Sequence, residues 1–120
     1  MMTIKTHIIN QINIAEVVAE SVLIQTPDDA LDLLANLYYQ GFDSIIINQL
    51  HITPLFFELS NGMAGEILQK FSNYRVRLVV TGEFENVTSK SLKDFVYESN
   101  KGRHINFLGT TADALQALSK

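Results

Sequence analysis

Apolar and polar positions change period several times along this chain. The first twenty residues hold two runs rich in β-branched side chains, "TIKTHII" and "INIAEVVAE", separated by Asn10-Gln11. Two such runs with a two-residue break predict a β-hairpin. A helical stripe follows: Ala30, Leu31, Leu33, Leu34, Leu37 and Tyr38. Thr26 is placed to cap it, with Pro27 at the first helical position and Asp29 three residues after the threonine. Gly41 stands where helices commonly stop.

"SIIIN", Ser44 to Asn48, is a continuous apolar run of strand length, the pattern of a strand buried on both faces of a parallel sheet. "HITPLFFEL" is broken by Pro54 and predicts a loop or short turn packed on the core. Met63, Ile67 and Phe71, four apart, mark a second helix. "RVRLVVTG" is a further strand. "ENVTSKSLKDFVYESNKG" holds a third helix that faces Leu92, Phe95 and Val96 inward and stops at Gly102. "HINFL" is a last strand, and "GTTADALQALSK" a last helix capped by Thr110. The expected fold class is α/β: one domain over residues 1–120, an N-terminal hairpin and then alternating helices and mostly parallel strands (β-β-α-β-α-β-α-β-α).

Composition narrows the function classes. Hydrophobic residues make up 47% of the chain and charged residues 18%, which suits a packed core and not a disordered segment. A net charge of −4 argues against nonspecific contact with nucleic acid or an anionic membrane. Without cysteine there is no disulfide, thiolate nucleophile or sulfur-ligated metal. "MMTIKTHIINQ" lacks the layout of a secretory signal and no apolar run is long enough to span a bilayer, so the expected location is cytoplasmic.

"AGEILQKFSNYRVRLVVTGEF" followed by "TSKSLKDFVYESNKG" resembles a bacterial family labelled domain of unknown function 4180. The likeness is dense from Leu55 to about Phe107 and looser before it. It implies a small single-domain bacterial protein and brings no catalytic residues with it. The element order also resembles the STAS fold of sulfate transporters and anti-sigma-factor antagonists, also called SpoIIAA-like. In those antagonists a serine at the start of the helix after the central strand is phosphorylated by a partner kinase, in a pattern Asp-Ser-Ser-Gly-Leu. The comparable segment here is Leu59-Ser60-Asn61-Gly62-Met63, with the Asp missing and Asn61 in place of the second serine.

Two places are candidates for function. The triplet Ser60, Asn61 and Gly62 is a phosphoacceptor or partner switch in the sharper reading and a helix cap in the plainer one. A second set, Asn48, Thr81, Gly82, Thr88, Ser89, Lys90 and Ser91, gathers strand ends and a helix start suited to an anion or another ligand. For Ser91 the plainer reading is a capping box with Asp94. Glu66 and Lys70 are spaced as a surface ion pair, and Arg75 and Arg77 as neighbours on one strand face. His7, His51 and His104 have no metal-ligand spacing, so neither a metal nor a cofactor is expected. The leading expectation is a noncatalytic protein-interaction or regulatory module with an unidentified protein partner. The alternative is a small-ligand domain or weak enzyme with its site at the C-terminal strand ends. Self-association through the hairpin edge and Phe56-Phe57 is a further possibility, so a homo-oligomer stays open.

Overall fold

A computed structural model describes residues 2–120. The hairpin forms as its pattern requires. Strands β1 (Met2–Ile9) and β2 (Ile12–Ala19) pair antiparallel over their full length. Asn10 and Gln11 both take positive φ, +52° and +68°, which a two-residue turn needs to follow the twist of the strands.

Helix α1 (Pro27–Tyr39) begins with the expected capping box. Thr26 Oγ1 accepts from the Asp29 amide at 3.1 Å, and Asp29 Oδ2 accepts from the Thr26 amide at 3.2 Å. Strands β3 (Ser44–Asn48), β4 (Arg77–Thr81) and β5 (Ile105–Leu108) follow, alternating with α2 (Met63–Tyr74) and α3 (Lys90–Lys101). Helix α4 (Thr111–Leu118) comes last. The result is one α/β domain with a five-stranded mixed sheet in the order β1-β2-β3-β4-β5, antiparallel only at the hairpin.

That order decides where the helices go. Each new strand is added on the same side of the last, so crossovers of one hand place α1, α2 and α3 on one face. Leu34, Ile67 and Phe71 pack there on Ala15, Ile45, Ile47, Leu78 and Val80. The other face receives α4 alone, whose Ala114 and Leu118 cover Ile14, Ile46 and Val79. β3 lies between the two layers with Ser44 to Ile47 fully buried, which explains its unbroken apolar run.

Two local expectations are corrected. Arg75 lies outside β4, in a left-handed conformation (φ +57°) that ends α2, because the chain must turn sharply from helix into strand. Glu66 and Lys70 form no ion pair among the described residues; the i,i+4 pair that does form is Lys90–Asp94, at 2.9 Å. Arg77 forms no ion pair among the described residues. Its guanidinium donates to the Arg103, Ala117 and Lys120 carbonyls and so closes the C-terminal end of α4.

His104 sits beside that arginine. Its Nε2 is sealed from solvent and has no hydrogen-bond partner. Burial and the Arg77 charge both hold its pKa below the ordinary histidine value. The unfolded chain therefore binds the extra proton more readily than the folded one. Above about pH 7 both states are neutral at this position and it has no effect on stability. As pH falls below the ordinary value of about 6.5, stability drops. In urea titrations between pH 7 and 5.5, His104→Phe is expected to flatten this decline. An equal decline in both proteins would show that another group causes it.

Candidate functional site

The α4 face changes character along its strands. Side chains at alternate strand positions share a face, so the N-terminal halves contribute Ile14, Ile46 and Val79 and the next positions contribute Glu16, Asn48 and Thr81. Helix α4 has eight residues, about 12 Å of helix. It covers the apolar half and its N-terminus stops at the polar half. The C-terminal ends of β2, β3 and β4 are thereby left under an open cavity of about 350 Å³.

The polar groups there are held from several elements. Asn48 Nδ2 donates to Thr81 Oγ1 at 3.2 Å, and Asn48 Oδ1 accepts from the Leu50 amide at 2.9 Å. The Glu16 side chain is 18% exposed. Its Oε1 accepts from His7 Nε2 at 2.9 Å, and the Thr111 hydroxyl approaches Oε2 at 3.5 Å. His51 Nδ1 lies 3.0 Å from the Ser21 carbonyl oxygen. A neighbouring cavity of about 430 Å³ shares Asn48 and Leu50 and adds Gly82, Glu83 and Gly109. Of the expected ligand residues, the fold therefore brings Asn48, Thr81 and Gly82 to one rim.

Thr88, Ser89, Lys90 and Ser91 line neither of these cavities, nor the larger one that Gly82 borders beside α3. The cap of α3 is Ser89, which accepts from the Leu92 amide at 3.3 Å. Ser91 falls inside the first turn, so the expected Ser91–Asp94 capping box does not form. Asp94 instead takes the Lys90 ammonium.

The connection from β3 to α2 is longer and more ordered than a plain loop. It makes three 3-10 turns, Gln49–His51, Pro54–Phe57 and Leu59–Asn61. Backbone bonds between His51 and Leu23 and Ile24, and between Thr53 and Ile24, tie it to the segment before α1. Phe56 is buried in the core, so it offers no external contact; burial of its ring is what anchors the connection. Leu50 and Leu55, by contrast, are 72% and 49% exposed.

Ser60 is exposed within the last turn and provides no cap to α2. Asn61 takes that role in part, since its Oδ1 accepts from the Met63 amide at 2.8 Å and its Nδ2 donates to the Leu55 carbonyl at 2.7 Å. Gly62, at φ +79°, supplies the left-handed bend between the turn and the helix. Within the triplet, capping thus falls to Asn61 and Gly62 and not to Ser60.

A family model described as a domain of unknown function (DUF4180) matches residues 9–118. The chain belongs to the DUF4180 family. No curated protein matches it. Among its described residues, no helix of this DUF4180 protein is long and apolar enough to cross a membrane. Nor do three His, Asp or Glu side chains gather there as a metal site would require.

Sequence reasoning overlooked Glu16 and Thr111 in the DUF4180 chain. The available signal was a lone carboxylate within the mostly apolar "INIAEVVA" run. It also overlooked Leu50 and Leu55 as exposed positions, because an apolar run around a proline looks the same whether its side chains point in or out.

Proposed function

We propose that this DUF4180 protein is a noncatalytic interaction module of STAS-like design whose contact surface is the β3–α2 connection. The observation that carries the reading is the exposure of Leu50, Leu55 and Ser60 on one internally bonded connection. Two leucines left in water on an ordered scaffold lose little entropy when a partner covers them. The Ser60 hydroxyl lies three residues before α2, where a phosphate would add negative charge near a helix N-terminus on the same connection as the two leucines. The STAS resemblance rests on the element order, a hairpin followed by alternating helices and strands, which this chain has.

The test is quantitative capture from the source organism's lysate with four baits: wild type, Ser60→Glu, Leu55→Asp and, as a control, Tyr39→Ser at the exposed end of α1. The partner retained by wild type and Tyr39→Ser is expected to fall roughly tenfold with Leu55→Asp and with Ser60→Glu. Equal recovery with all four baits would overturn the reading. A second reading, ligand binding at the C-terminal strand ends, is favoured by the Asn48–Thr81 pair on the rim of an open cavity.

A further inference from the structure

We propose that the cavity over the ends of β2, β3 and β4 binds a small organic ammonium compound that also carries an acceptor oxygen, with Glu16 receiving the ammonium group. The proposal rests on the strand-end ligand reading, and Leu50 and His51 of the β3–α2 connection line the same cavity.

Its first ground is the placement of a carboxylate on a sheet face. Glu16 stands directly opposite Ile46 in the register, one position beyond the apolar patch that α4 covers. A mostly buried carboxylate is costly unless it is held by donors. His7 and Thr111 supply two, one to each oxygen, and a carboxylate has about four acceptor positions. Acceptor capacity therefore remains on a carboxylate that lines the cavity.

The second ground is charge. The titratable side chains lining this cavity are Glu16 and His51, and the adjoining cavity adds Glu83. No lysine or arginine lines either one. An anion would meet two carboxylates with His7, already bonded to Glu16 Oε1, as the neighbouring basic group, whereas an ammonium group complements the carboxylate charge.

The third ground is the direction of the remaining hydrogen-bond groups. The Ser21 carbonyl can only accept, so His51 Nδ1 is the donor there, and the tautomer protonated at Nδ1 alone has an acceptor at Nε2. Across the cavity the polarity is reversed. Thr81 is 4% exposed and its oxygen accepts from Asn48, so its hydroxyl proton is left to donate. Asn48 keeps a second N–H in addition. One pole thus accepts, at Glu16 and His51, and the other donates, at Thr81 and Asn48. An amino alcohol or amino sugar has the complementary pair of groups.

The experiment uses the full chain labelled with nitrogen-15 and follows its amide resonances. The probes are glucosamine against glucose, ethanolamine against ethylene glycol, and inorganic phosphate. Each organic pair differs in an amine against a hydroxyl. The expected result is saturable millimolar perturbation at Glu16, Asn48, Thr81 and Thr111 by the amines, with the neutral partners roughly tenfold weaker. Glu16→Gln should remove that preference, and Thr81→Val, which keeps the carboxylate, should weaken the amines while preserving their advantage over the neutral compounds. Equal binding of amine and neutral partner to wild type would overturn the proposal whether or not either variant folds. Stronger perturbation by phosphate would overturn it while leaving the strand-end reading standing. No perturbation by any probe would overturn both.

Discussion

Replacing Phe56 with alanine is expected to remove about 3–5 kcal/mol of folding stability. Its ring is 1% exposed and lies within the core beneath α2, in edge-to-face contact with Phe57 at 4.9 Å. From Phe57 the aromatic contacts run to Phe84 at 6.2 Å and on to Phe107 at 5.4 Å. Deleting Phe56 leaves a cavity at one end of this row and releases the segment that displays Leu50, Leu55 and Ser60. For a domain whose whole stability is of the order of 5–15 kcal/mol, that loss leaves little margin. Urea unfolding of wild type and Phe56→Ala measures it directly. A loss within about 0.5 kcal/mol, as for an ordinary surface substitution, would place the ring outside the core and contradict the account.

The second large effect falls on the opposite face. Leu118→Ala is expected to cost about 2–5 kcal/mol, much of it through separation of α4 from the sheet. Only Ala114 and Leu118 of this helix are fully buried. A helix of eight residues does not hold together in water without its packing. Its other ties include half-buried Leu115, the Thr111 hydroxyl at Glu16, the Arg77 bonds to the Ala117 and Lys120 carbonyls and the Asn10 bond to the Ser119 carbonyl. Amide hydrogen exchange should therefore show lost protection across Thr111–Leu118 and faster exchange in the adjoining strand β3, while α1 and α2 change less. Wild-type protection of α4 in the variant would contradict this division of the core.

The strong periodic elements could be read from the sequence because their causes are local. The "SIIIN" run, the Thr26-Pro27-Asp29 start of α1 and the hairpin break at Asn10-Gln11 each carry their physical reason within a few residues. Asn48 and Thr81 could be proposed together because both end buried parallel strands, and the parallel register then makes them neighbours. Glu16 could not be found that way. Alternation shows which side chains share a face, but it does not show that α4 stops short of this part of the sheet. The start of α3 is a boundary question of a different kind. Thr88, Ser89 and Ser91 all suit a cap, and only the backbone shows that Ser89 takes it. In the β3–α2 connection, three successive 3-10 turns decide that Phe56 points inward and Leu55 outward, and those turns leave no periodic mark in the sequence.

The central claim is that the β3–α2 connection is where a partner docks. The most direct measurement places a photo-activatable side chain at position 55, and separately at position 39, and illuminates the protein in the cells that make it. The account predicts a discrete cross-linked product from position 55, absent from position 39 and lost when Ser60 is changed to glutamate. Products of equal yield from both positions, or a product from position 55 that Ser60→Glu leaves unchanged, would contradict it.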